Sequence, residues 1–189
     1  MILALEILVG IILGLVGIGI IAYIIIIFNS LVRLRRNIDK AWANIEVILK
    51  QRHDELPKLV EVCKGYMKHE RSVLKEITDL RTRWMNAKSQ SERIKISNKI
   101  SSTLKTLFAV AENYPKLRAN ENFLQLQARI SGLENELADR REFYNDSVNT
   151  YNIRIQTIPE RFFASKMGFG PMELFRATEE EKKDVEIKI

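Results

Sequence analysis

With 189 residues, 30 Lys and Arg against 24 Asp and Glu, and a formal net charge of +6, the chain is long enough for one ordinary domain beside an anchoring segment. Its single cysteine, Cys63, excludes an internal disulfide and fits a reducing compartment. The basic balance raises nucleic-acid binding, but no recognised motif or basic patch interleaved with aromatics accompanies it, so no nucleic-acid partner is expected.

Residues 1–6 predict a short extracytoplasmic N-terminus, and Ile7 to Phe28 a transmembrane helix. No Asp, Glu, Lys or Arg lies between Glu6 and Arg33. At about 1.5 Å per residue the run reaches roughly 33 Å, enough to cross a hydrocarbon core. A cleaved secretory signal would want a basic start, a shorter apolar run and small residues at a cleavage point. No basic residue precedes this run, whereas Arg33, Arg35, Arg36 and Lys40 follow it. The positive-inside rule then predicts a single-pass cell-membrane protein with the N-terminus outside and the remainder cytoplasmic, the bilayer being its first partner. Gly10 and Gly14 form a GxxxG pair, the spacing that lets two membrane helices approach closely, and they are candidate packing residues for a homo-oligomer.

After the anchor, Leu31, Leu34, Ile38, Trp42, Ile45, Leu49, Leu56, Val60, Cys63, Met67, Leu74, Ile77 and Trp84 step at helical spacing. The stripe predicts one long helix to about residue 86, interrupted at Pro57. A proline there removes a backbone hydrogen bond and crowds the carbonyl of His53, so a kink or a break is expected near 53–57. Residues 86–91 predict a turn, with Ser91 as a cap for a helix carrying Ile94, Leu104, Leu107, Phe108 and Ala111. Tyr114-Pro115 ends that helix. Asn120 is the predicted cap of the last one, with Glu121 in its first turn and a stripe from Phe123 to Ile158, stopped by Pro159. The fold class is all-α: an N-terminal transmembrane helix followed by an antiparallel bundle of three long helices, over residues 29–178.

Residues 160–178 hold Phe162, Phe163, Phe169 and Phe175 around Gly168-Phe169-Gly170-Pro171. They predict a segment folding back to cap the bundle, with an exposed apolar patch for a partner as the alternative. Residues 179–189 read as a charged, disordered tail.

Chemistry is sparse. His53 and His69 each precede an acid, Asp54 and Glu70, but sixteen helical residues leave the two rings about 160° apart on an ideal helix, so no metal site is expected. Asp54 and Glu61 share a face, where ion pairs with Lys50, Lys58 or Lys64 are the simpler role. No nucleophile elbow, P-loop or dinucleotide glycine pattern occurs. No catalytic residue and no cofactor is expected, and the chain reads as non-enzymatic. Trp42, Trp84, Tyr144 and Tyr151 fall at core spacing with polar tips that need partners. Asn44, Asn145 and Asn152 are weak helix formers inside strong helices. Together they predict a hydrogen-bond network between helices.

Asp39-Lys40-Ala41-Trp42-Ala43-Asn44-Ile45, Arg52 to Glu61 with Pro57, Gly65-Tyr66 and His69-Glu70 resemble the LemA family. So do Ala111-Glu112-Asn113-Tyr114-Pro115, Leu117, Ala119-Asn120, Arg141, Tyr144-Asn145, Val148, Tyr151-Asn152, Ile155, Pro159 and Gly168-Phe169. The likeness runs in order from about residue 23 to 175, with Glu55-Leu56 departing from two apolar residues expected before the proline. The resemblance implies one N-terminal membrane helix, a cytoplasmic helical bundle without established catalysis and, by analogy, a membrane-organising or scaffolding role. The leading expectation is a membrane-tethered scaffold that binds copies of itself or an unidentified membrane or cytoplasmic protein. The alternative is a signal- or ligand-responsive module hinged near Pro57.

Overall fold

The computed structural model describes residues 2–175, so the charged tail expected over 179–189 lies outside the described residues. Six helices follow in order: α1 (Ile2–Lys64), α2 (Arg71–Asn86), α3 (Gln90–Ala111), α4 (Pro115–Arg118), α5 (Glu121–Gln156) and α6 (Glu160–Ala164). No strand occurs among the described residues, as the absence of period-2 patterning requires. The chain divides into two compact units, Met1–Lys40 with Asp146–Met172, and Ala41–Asn145 with Glu173–Ile189.

In the first unit, α1 opens on a run long and apolar enough to cross a membrane. Its large apolar side chains from Ile2 to Tyr23 are exposed between 47% and 74%, and Ile24 is the first to be half-buried. Burial begins at Ile27, Leu31 and Ile38, and the same unit buries Val148, Tyr151 and Ile155 of α5. Phe28 meets Phe169 edge to face, with ring centres 5.8 Å apart. A glycine motif closes α6. Gly168 takes φ +79°, its N–H donates to Ser165 C=O, and the Phe169 N–H reaches Ala164 C=O at 2.9 Å. This is the Schellman arrangement, which satisfies the last carbonyls of a helix through a left-handed residue.

The second unit is a four-helix bundle. Glu46 pairs with Arg93 and Arg52 with Ser97, so α1 and α3 run the same way. Arg52 with Glu134 and Tyr66 with Asn120 set α5 antiparallel to α1, and the short link from Asn86 to Gln90 makes α2 antiparallel to α3. Its core joins Leu56, Leu59 and Cys63 of α1, Leu74, Ile77 and Leu80 of α2, Ile100, Leu104 and Leu107 of α3, and Phe123 and Ile130 of α5.

Four long helices replace the three expected, because the break falls elsewhere. α1 continues through Pro57, which sits on its exposed face, so the helix is not broken there. The chain turns instead after Lys64, where Tyr66 and Met67 N–H groups both return to Cys63 C=O. Gly65, a poor helix former, lies at that stop. The apolar stripe hid the turn because Cys63, Met67 and Leu74 keep helical spacing across it and are all buried. Two caps also sharpen. Ser89, rather than Ser91, caps α3 by accepting from Glu92 N–H at 3.1 Å. Asn120 caps α5 as expected, accepting from Phe123 N–H at 3.0 Å. Pro115 starts the short α4 after α3 has ended at Ala111.

Candidate functional site

The second unit carries a polar layer through its centre. Arg52 is 1% exposed, which removes its guanidinium from water and demands partners. It finds them on two helices: Nη1 donates to Ser101 Oγ at 2.9 Å and to Glu134 Oε1 at 2.5 Å, and Nη2 donates to Ser97 Oγ at 3.0 Å. The Ser101 hydroxyl donates on to Glu134 Oε2 at 2.6 Å. Ser97 Oγ also accepts from Arg141 Nη2 at 3.2 Å. One arginine thereby fixes the register of α1, α3 and α5 through charge-assisted bonds.

Arg141 continues the layer to the C-terminal segment, with its guanidinium 4.3 Å from the centre of the Phe175 ring. Phe175 is 2% exposed and lies 6.3 Å from the Trp42 ring, which itself packs edge to face on Tyr144 at 5.8 Å. Asn145 brackets the main chain of Phe175: its Nδ2 donates to the carbonyl at 3.0 Å and its Oδ1 accepts from the N–H at 2.7 Å. Tyr144 Oη donates to Glu173 C=O at 3.0 Å and accepts from Gln90 Nε2 at 2.9 Å.

The first unit uses the same device by itself. Asn152 brackets Met172 at 2.9 Å through both its amide groups, and Tyr151 Oη donates to Gly170 C=O at 3.0 Å. Burial pushes the Tyr151 hydroxyl above its ordinary range, against a smaller opposing pull from Arg35. Of the interhelical network expected of Trp42, Trp84, Asn44, Tyr144, Asn145, Tyr151 and Asn152, the α5 members instead bond largely to a non-helical segment, and Trp84 Nε1 is buried without a hydrogen-bond partner among the described residues. Asn44 lies exposed and makes no part of it. Phe169 and Phe175 are packed and Phe162 is 63% exposed, so the fold-back reading describes the segment better than the exposed patch does.

The remaining candidates separate. His53 is buried on Trp84, ring centres 5.1 Å apart, with Nδ1 3.4 Å from Asp54 Oδ1. His69 and Asp54 are exposed, so the two histidines do not share one environment. Among the described residues no three His, Cys, Asp or Glu side chains gather as a metal site would require. Lys58 pairs with Glu55 at 3.0 Å rather than with Asp54. Tyr66 accepts from Asn120 Nδ2 at 3.1 Å, tying the end of α1 to the start of α5. Cys63 is fully buried, and loss of solvent pushes its thiol up to about 12, the condition of an inert cysteine. A Cβ added at Gly10 or Gly14 would meet nothing within 4 Å.

The polar layer was missed, although gaps in the apolar stripes mark it. Arg52 fills the step between Leu49 and Leu56, Ser97 and Ser101 fill the step from Ile94 to Leu104, and Arg141 sits between Leu137 and Tyr144. A polar residue at a core position of a helix is the signal that another helix supplies its partner.

"Protein LemA" of Metamycoplasma hominis is 28% identical over 159 residues, covering 84% of this chain and 73% of that protein. "Magnetosome protein MamQ 2" of Paramagnetospirillum magneticum is 24% identical over 182 residues, covering 82% and 67%. "Magnetosome protein MamQ" of Magnetospirillum gryphiswaldense is 22% identical over 174 residues, covering 78% and 64%. The family profile that matches is that of the LemA family, and it spans residues 41–189, so the chain belongs to the LemA family.

Proposed function

We propose that the chain is a non-enzymatic, single-pass membrane protein whose helical bundle serves as a scaffold, gathering copies of itself or other proteins at a membrane surface. The observation that carries this reading is the start of α1, whose large apolar side chains from Ile2 to Tyr23 are exposed. Exposed apolar surface costs about 25 cal/mol per Å² in water, and a bilayer removes that cost along a span of this length. Arg33, Arg35, Arg36 and Lys40 then favour a cytoplasmic bundle. A buried polar layer that ties three helices together supports a bundle built for assembly. The responsive-module alternative calls for a hinge near Pro57, which lies inside a continuous α1.

Alkaline carbonate extraction of the full chain tests the anchor, and protease added to intact spheroplasts tests its orientation. Retention in the membrane fraction, with the bundle protected until permeabilisation, is the expected result. Release by carbonate would remove the anchor, and cleavage of the bundle from outside would reverse the orientation.

A further inference from the structure

In the first unit, the end of the apolar run and the corner between α5 and α6 lie side by side. α1 carries no charge between Glu6 and Arg33, yet its buried seam starts before Arg33: Ile24 is half-buried, and Ile27 and Leu31 are buried. Residues 146–172 are the rest of this unit, and Phe169 there meets Phe28 with ring centres 5.8 Å apart. The helix from Ile7 to Phe28 is about 33 Å long, little more than a hydrocarbon core of about 30 Å. Ile24 to Phe28 are its last residues, so whatever packs on them stands level with the edge of the bilayer.

The outer side of that corner is apolar and basic. Ile158 is 73% exposed and Phe162 is 63% exposed, while Ile155, Ala164 and Phe169 are buried. The two exposed side chains are four residues apart, across a turn in which Arg161 N–H donates to Thr157 C=O at 2.8 Å. Arg161 and Lys166 on the same segment are exposed. The single acid between Ser147 and Met172 is Glu160, which is buried and paired with Arg154 at 2.5 Å. Large apolar side chains accompanied by free cations are the composition of a segment that lies in a membrane interface, apolar groups below the headgroups and cations among the phosphates.

We propose that the α5–α6 corner dips into the bilayer surface beside α1, with Ile158 and Phe162 among the acyl chains and Arg161 and Lys166 at anionic headgroups. The leaflet is the occupant of this face because the corner is packed on the stretch of α1 that the leaflet surrounds. The proposal rests on the reading of α1 as a membrane anchor and adds to it a second membrane contact, one that holds the first unit against the lipid.

The test uses the full chain reconstituted in phosphatidylethanolamine–phosphatidylglycerol vesicles, with an NBD fluorophore on a cysteine introduced at one position per variant. Ile158→Cys and Phe162→Cys read the corner, Leu15→Cys reads the apolar run, and Leu124→Cys, exposed in the second unit, reads the water phase. The native Cys63 is fully buried and takes no label. Lipids with a nitroxide high on the acyl chain are expected to quench the probes at 158 and 162 several-fold more than the probe at 124, and iodide on both sides of the membrane to do the reverse. Corner probes that stay open to iodide would overturn the inference. So would corner probes shielded from both quenchers, the result of cover by a second copy or another protein. The probe at position 15 separates the two readings. Quenched by lipid while the corner is not, it keeps the anchor and removes the corner contact; open to iodide, it removes both.

Discussion

Arg52 is the most deeply buried charge of the bundle's polar layer and bonds to two other helices. A guanidinium at 1% exposure is tolerated because Ser97, Ser101 and Glu134 complete its hydrogen bonds. Removing it strands Glu134 against a cavity, so Arg52→Ala should destabilise the full chain by about 3 kcal/mol in detergent melts followed by circular dichroism. Glu134 is 26% exposed on its side chain, and Glu134→Gln should cost less because solvent partly replaces what is lost. Cys63 gives a pH signature. The unfolded thiol ionises near 9.0, whereas the folded one holds its proton to about 12, so the folded state binds the proton more tightly. Stability should therefore fall as pH rises above about 9, and Tyr151, also pushed up by burial, acts in the same direction at higher pH. Cys63→Ala should flatten the first part of that slope in urea midpoints measured against pH. The sequence made Tyr144, Asn145, Tyr151 and Asn152 legible as polar groups seeking partners. It did not name the partners, because an extended segment leaves no periodicity to recognise.

Among the elements, caps and stops divide into those written in local chemistry and those set by packing. Asn120 was readable because a short acceptor side chain ahead of an acidic first turn has one economical use, satisfying free N–H groups. The turn after Lys64 was not, because burial of Cys63, Met67 and Leu74 in one core keeps the stripe in phase through it. Pro57 does not break α1: on an exposed face, the missing bond and the crowded His53 carbonyl are accommodated without ending the helix. The two glycines at these stops should behave differently. A Cβ at Gly65 would stand 3.5 Å from Val62 O, an ordinary contact, so Gly65→Ala should be nearly neutral. Gly168 holds φ +79°, where an L side chain costs about 1–2 kcal/mol. Gly168→Ala should destabilise by that order and raise hydrogen exchange at Phe169, whose N–H closes the α6 end.

For the whole molecule, the sequence stated the fold class directly: a charge-free run followed by amphipathic stripes leaves few alternatives to an apolar helix preceding a bundle. The proposed function was less legible because it rests on what would cover exposed surfaces. Under the proposed function a bilayer would cover the apolar start of α1, and the open Gly10 and Gly14 positions are where a second copy would pack. The measurement that tests this account most directly is the mass of the full chain in native-like lipid. A defined oligomer is predicted, weakened when Gly14→Leu fills the open face of the membrane helix. A monomer at every protein-to-lipid ratio would contradict it.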